Sequence, residues 1–541
     1  MYAFLDRVDE DALRKLVRRA LPSMDHGKVQ DLDRHRIYNV LFSLYGFDIL
    51  GEPPVRQLML LTLPEDRLRI MAARFGLDAL GKLFDVTMQI ASQSWREGAP
   101  SPAVFADEFD VASEFLPRKS DREPTIEVVE PYSEPPALFD YQEEMASALS
   151  TFLTNQSGGA CLLQLPTGAG KTRVTMEGIS RYLTNTQSIQ RDVGVLWMAH
   201  SEELCDQAVD AFLRVWVSRG TFDVRLVRFW GTFQPTVEDL KDSLVVASYQ
   251  KLASLAEKSK ADFEKFGKSL SLAVIDEAHK ALAPTIKTLL DSFRRWGVNI
   301  VGLTATPGRG QDATVENRRL AGLFDRRLLR PPSLGADPVE ELQRRGVLAR
   351  VKRAVIDSGV RVKASDGEAA RPDGFEDMPG SVLARLAKNE NRNTLIVKTV
   401  KNYVEKNHPT LVFCCTVDHA KELAVLAASQ GVRSAFLDCL MIRRRRRRVI
   451  EAFRSGLVDA LFNFGVLSTG FDAPNIRCVV IARPTSSIVL YSQMVGRGLR
   501  GSAVGGSAEF VLVDVKDNLE AFGGVGEVYS HFERYWDAPQ R

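Results

Sequence analysis

Residues 160–165, 193–198, 244–247, 272–275 and 300–303 are short apolar runs, each followed by a stretch with helical periodicity. That alternation constrains the fold more than any other feature of the chain. Strands that alternate with helices predict a parallel, doubly wound sheet. A second series, residues 411–415, 460–463 and 479–482, predicts another sheet of the same kind. The expected fold class is therefore α/β, with two tandem parallel-sheet lobes.

The chain has 541 residues, enough for three or four domains at about 150 residues each. Leu13, Leu16, Val17 and Ala20 share a helix face, as do Leu68, Met71, Ala72 and Phe75, so residues 1–105 read as a small, mainly helical accessory domain. Between Ser101 and Glu134 nine acidic residues face only Arg118, Lys119 and Arg122, and Pro117, Pro124, Pro131, Pro135 and Pro136 punctuate the stretch. Residues 106–136 are expected to be an acidic linker without regular structure. The expected order continues with a first lobe at 137–308, an interlobe connection at 309–380, a second lobe at 381–520 and a tail at 521–541.

A net charge of +2 with 45% apolar residues indicates full cores and no global field for gripping a polyanion, so any nucleic-acid contact must be local. The six cysteines, at 161, 205, 414, 415, 439 and 478, lack the paired spacing of a zinc site and read as reduced core thiols. The chain opens on an acidic segment, and no run approaches 18 uninterrupted apolar residues. The expectation is a cytoplasmic protein of a prokaryote with no membrane contact.

Residues 166–172, Pro-Thr-Gly-Ala-Gly-Lys-Thr, follow a predicted strand and open a predicted helix. Thr167, Gly168, Ala169 and Gly170 let backbone N–H groups wrap phosphates at a helix N-terminus. Lys171 reaches the terminal phosphate oxygens, and Thr172 can ligate Mg²⁺. Leu165 stands where the strict form of this loop has a glycine. Asp276 and Glu277 directly follow the apolar run 272–275, at the sheet edge where open α/β folds bind ligands. Asp276 suits Mg²⁺, and Glu277 suits orienting or deprotonating an attacking water. Downstream, Gln493, Arg497 and Arg500 lie three and four residues apart and can point into one cleft. Arginine forks of this kind stabilise charge on a transferring phosphoryl group.

Taken in order, residues 166–172, Asp276-Glu277-Ala278-His279, Thr304-Ala305-Thr306 and Gln493-x-x-Gly496-Arg497-x-x-Arg500 resemble the motif series of superfamily 2 helicases. The most similar branch is the DEAH-type one that contains restriction-enzyme motor subunits and XPB-like repair helicases. The resemblance covers about residues 137–520 and implies two RecA-like lobes that bind ATP and Mg²⁺ between them. It implies that Gln142 reads the adenine edge, with Phe139 or Tyr141 against the base, although Phe139-Asp140 replaces the family's usual Arg-Pro. It implies that Thr304 and Thr306 couple hydrolysis to lobe movement, and that Arg497 and Arg500 reach the nucleotide across the lobes with Gln493 positioning them. Residues 462–474 are similar to the family's segment between nucleotide and nucleic acid, where Ser468 and Thr469 meet phosphate and Gly470 and Asp472 border the nucleotide. His200, Ser201 and Ser248 are implied to grip a sugar-phosphate backbone.

The arginine run 443–448 is open between nucleic-acid contact and a solvated helix face. The resulting expectation is an ATP- and Mg²⁺-dependent helicase or translocase acting on nucleic acid, with DNA favoured, as the motor of a restriction, antiphage or repair system. A protein partner is expected at the N-terminal helical domain. An RNA helicase and a regulatory binding subunit are the alternatives.

Overall fold

The structure is a computed structural model that describes residues 2–21, 29–77, 81–117, 123–130, 137–187, 194–305, 314–360, 378–438, 441–466, 475–485 and 487–515. Its first sheet is built from β1 (Ile126–Val129), β2 (Ala160–Gln164), β3 (Gly194–Ala199), β4 (Val224–Phe229), β5 (Leu244–Ser248), β6 (Leu270–Ile275), β7 (Asn299–Thr304) and β8 (Leu328–Leu329). These lie in the order β1-β4-β5-β3-β6-β7-β2-β8. Every pairing is parallel except β1 with β4. The central strands β2, β3, β5 and β7 are buried along their whole lengths, which explains their unbroken apolar runs.

The second sheet contains β9 (Arg350–Ile356), β10 (Thr410–Phe413), β11 (Ser434–Leu437), β12 (Ala460–Asn463), β13 (Cys478–Ile481) and β14 (Glu509–Val515). Their order is β11-β12-β10-β13-β14-β9, all parallel. The chain is thus α/β, as its alternation of apolar runs and helices implies. The described cysteines, 161, 205, 414, 415 and 478, are buried in these layers, and Cys439 lies outside the described residues.

Three edge strands correct the sequence reading. Residues 126–129, inside the expected linker, form β1, because prolines on either side of Ile-Glu-Val-Val leave it free to pair along the exposed edge of β4. Residues 328–329 and 350–356, inside the expected interlobe connection, join the first and second sheets respectively. That connection is therefore shared between the lobes. All three strands lie at or beside sheet edges, where pairing depends on a distant neighbour and the local pattern is weak.

The N-terminal region forms the helices Glu10–Ala20, Arg34–Tyr45, Pro53–Leu60, Glu65–Arg74, Leu83–Ala91 and Pro100–Phe109. Asp9 and Asp33 cap the first two by accepting from the amides of Ala12 and Arg36. Tyr2, Phe4, Phe42, Phe47 and Phe115 form one aromatic cluster, so the domain closes on itself through Phe115. Its helix Arg34–Tyr45 packs on the helix Val417–Ser429 and on β11, which covers that edge of the second sheet.

Arg56 is 1% exposed and donates to the carbonyls of Leu50, Ala91 and Gln93, with its guanidinium over Trp95. Leucine at this position would leave buried acceptors unpaired, each worth about 1–3 kcal/mol. Arg56→Leu is expected to destabilise the helical domain by at least about 2 kcal/mol, read as faster amide exchange across residues 50–93. Unchanged exchange there would contradict the role given to this arginine.

Candidate nucleotide site between the lobes

The loops that follow β2, β3, β5, β6 and β7 all emerge at the carboxyl edge of the first sheet, because these strands run parallel. Register sets their depth. Gln164 lies opposite Thr304 and Ile275 opposite Met198, so the β2 and β6 loops flank the end of β7. From β2 the chain turns through Gly168 and Gly170, with φ of +87° and +90°, a region that costs glycine little. The turn feeds the helix Lys171–Gln187, whose first N–H groups have no acceptor within the helix and suit an anion.

Lys171 bends back under this loop, and its Nζ donates to the Leu165 carbonyl at 3.3 Å. Burial lowers its pKa, the charges of Glu277 and Asp276 oppose that, and the Arg497 guanidinium adds to the lowering. Asp276 is 6% exposed, and burial followed by the neighbouring Glu277 charge pushes its carboxyl up to about 7. Burial also pushes Glu277 up, but the fields of His279 and Lys171 more than offset it and hold it below the usual carboxylate range. Glu277 has a φ of +55°, uncommon for a residue with a side chain. Its amide donates to Asp276 Oδ1 at 2.9 Å, and its Oε2 lies 3.3 Å from His279 Nδ1.

The second lobe supplies the opposite wall. The helix Ile488–Val495 leads into Gly496, where a Cβ would sit 2.3 Å from Thr167 Cγ2 of the phosphate-type loop. Only a glycine permits that approach, and it carries Arg497 close enough for its charge to reach Lys171. Arg497 Nε donates to the Gln493 carbonyl at 3.2 Å, and Gln493 is 9% exposed. Arg500 is held differently, by a backbone bridge to Leu348. Leu348 Cδ2 is also 3.2 Å from where a Cβ on Gly168 would lie. Leu348 therefore ties the glycine loop to the arginine segment, and no motif in the sequence marks it.

Several expected residues hold different positions. Tyr141 is fully buried and its hydroxyl donates to the Ala169 carbonyl at 2.9 Å, so Phe139, half-buried and stacked on it, is the ring left for a base. Gln142 turns its amide inward: Nε2 donates to the Ala169 carbonyl at 3.2 Å, and Oε1 accepts from the Phe139 amide. Ser201 and Ser248 cap the helices Glu202–Arg219 and Tyr249–Lys258 with their hydroxyl oxygens, which leaves each hydrogen to donate. His200 is half-buried; desolvation and the Lys280 charge lower its pKa to about 4, which makes it a neutral neighbour of Glu277. Tyr249 donates to the Asp276 carbonyl at 2.8 Å and fixes the acidic turn from the start of the helix that follows β5. Thr304 is fully buried, and Thr306, Ser468, Thr469, Gly470 and Asp472 lie outside the described residues.

The donor set fits a nucleotide and a divalent cation. Buried Asp276 and half-buried Glu277 stand in the field of Lys171 and Lys280, and a divalent cation would offset the burial that raises the Asp276 carboxyl. Thr172 and Asp276 would hold Mg²⁺, and the glycine loop with Lys171 would hold the phosphates. Among the described residues no helix is long and apolar enough to cross a membrane.

Comparison with known proteins agrees with this architecture. Residues 136–309 match the family described as Type III restriction enzyme, res subunit, and residues 392–502 match the Helicase conserved C-terminal domain. IRC3 of Saccharomyces cerevisiae, named as an ATP-dependent helicase, is 27% identical over 69% of this chain and 51% of its own. The Type I restriction enzyme EcoAI endonuclease subunit of Escherichia coli is 24% identical over 67% of this chain and 44% of its own. The chain thus spans about half the length of these curated relatives. The fold is shared with the DUF1998 helicase MrfA bound to DNA and AMPPNP, with a TM-score of 0.50 at 13% identity, over 76% of this chain and 55% of that one. On its two domain matches, which together cover more than half of its length, the chain belongs to the superfamily 2 helicases.

Proposed function

We propose that the chain is an ATP- and Mg²⁺-dependent helicase or translocase that acts on nucleic acid, with DNA as the polymer. The observation that carries this reading is the meeting of Lys171, Asp276 and Glu277 of the first lobe with Gly496 and Arg497 of the second. Lys171 and the amides of the glycine loop bind and orient the phosphates, and the bound cation supplies charge neutralisation between them. Glu277, kept ionised by its cationic neighbours, holds and orients the attacking water. Arg497 places its fork where charge spreads over the transferring phosphoryl oxygens, a contribution of about 4–7 kcal/mol to the barrier in comparable enzymes.

The polymer is proposed to run over the loops after β3 and β5, where the Ser201 and Ser248 hydroxyls and the amides of two helix N-termini are backbone donors. Contacts of this kind carry little sequence information and predict steep salt dependence. DNA is preferred because the restriction-enzyme family matches the first lobe. A role as the motor of a restriction, antiphage or repair system, with a protein partner at the N-terminal domain, belongs to the same proposal.

ATPase stimulation by single-stranded DNA, duplex DNA and RNA decides the polymer. Stimulation by DNA above RNA is expected; RNA alone would make the protein an RNA helicase, and silence with all three would favour a regulatory subunit. Lys171→Ala should abolish turnover, whereas Glu277→Gln should bind ATP and not hydrolyse it. Gly496→Ala tests the interlobe approach, because its methyl group must displace Thr167. It is expected to retain nucleotide binding measured by fluorescence and to lose at least about tenfold in kcat, the effect of about 1.4 kcal/mol.

A further inference from the structure

The arginine run 443–448 is not consumed by the nucleotide site. Residues in a helix project about 100° apart, so the four consecutive side chains 445–448 of the helix Arg443–Arg454 face all round its axis, and each meets a different acceptor. Arg445 donates to the Leu44 carbonyl of the N-terminal domain. Arg448 pairs with Asp48 of that domain at 2.9 Å and lies over the Phe47 ring. Arg446 pairs with Glu203 in the first turn of the first-lobe helix Glu202–Arg219. Arg447 pairs with Glu123 at 2.9 Å.

Glu123 is the informative member. Its Oε1 faces Arg447 of the second lobe, and its Oε2 lies 3.9 Å from Arg228 Nε of β4 in the first. Arg228 is buried and also donates to Pro124 O at 2.9 Å and Glu127 Oε2 at 2.7 Å. β1, which begins at Ile126, is paired antiparallel to β4. The helical domain thus packs on the second lobe, while the segment that follows it is stitched to the edge of the first.

Resting on the proposed ATPase reading, we propose that Arg446, Arg447, Glu203 and Glu123 are positioning residues that set the spacing of the two lobes, with the N-terminal domain as a brace built onto the second lobe. The pairs suit a clamp that opens and recloses. Arg447 is 49% exposed and Glu123 26%, and partly exposed pairs are individually weak and screened by salt. Their combined effect falls on the fraction of molecules whose lobes stand close enough for Arg497 to approach Lys171. None of the four touches the nucleotide loop, so their loss acts on apparent ATP affinity, which scales with that fraction, and spares the chemical step.

The test is a distance measurement on the full-length protein carrying spin labels at the exposed positions Lys258→Cys in the first lobe and Lys398→Cys in the second. Arg446→Glu with Arg447→Glu is expected to lengthen and broaden the interlobe distance without nucleotide, and a non-hydrolysable ATP analogue should restore it at saturation. In steady-state turnover the same variant should raise KM about three- to tenfold with kcat within about twofold. High salt should widen the wild type, by screening its ion pairs, and narrow the variant towards it, by screening the glutamate–glutamate repulsion that the reversal introduces. Arg446→Glu combined with Glu203→Arg should return the distance towards the wild type, an effect that a merely structural role would not produce.

An unchanged distance in the double-arginine variant, or failure of the reversed pair to restore it, would overturn the proposal. If the arginine variants do not fold, Glu123→Gln decides, with a smaller widening expected and none contradicting the clamp. The distance measurement needs no turnover, so a wild type that fails to hydrolyse ATP would refute the proposed function while the clamp is still judged by its distances.

Discussion

A lysine and two carboxylates drawn together at the end of a parallel sheet are the constraint on which the rest of the structure depends. Asp276 is buried, Lys171 and Glu277 are half-buried, and desolvation penalises the charged form of each. Such a cluster survives because the scaffold fixes it from several directions: the Leu165 carbonyl under the lysine, the Tyr249 hydroxyl on the Asp276 carbonyl, the Asp276 amide on Met198, and a left-handed backbone at Glu277. Strain and buried charge of this kind accumulate at functional sites.

The second lobe enters through one missing side chain. Gly496 presses on Thr167, and the short segment 347–349 stitches the backbone of Leu499 to Gly501 beside the glycine loop. Arg497 thereby stands within electrostatic reach of a lysine more than three hundred residues earlier in the chain. Proximity of this type converts lobe closure into assembly of a reaction site. The brace of N-terminal helices and the ion pairs of Arg446 and Arg447 then bear on how often that assembly occurs.

The sequence was legible where chemistry is local. The central strands are buried on both faces and so appear as unbroken apolar runs; β2, β6 and β7 can be located from those runs to within about two residues. The placement of Lys171 after β2 and Asp276 after β6 follows from the same pattern. Legibility failed where a residue's role depends on a distant partner. Ile126–Val129 reads as linker until β4 offers it an edge, and the choice between Phe139 and Tyr141 as the ring against a base stays open in the sequence until the Tyr141 hydroxyl is seen on Ala169. The arginine run shows charge but not address: its acceptors Glu203, Asp48 and Leu44 lie 243, 400 and 401 residues away. Leu348 carries no chemical mark at all.

The central claim is that hydrolysis requires an arginine delivered from the second lobe to a nucleotide held by the first. Parallel measurement of ATP binding and single-turnover hydrolysis by Arg497→Ala tests it most directly. The account predicts retained binding with turnover lowered by about 10³- to 10⁵-fold; normal turnover in that variant would contradict it.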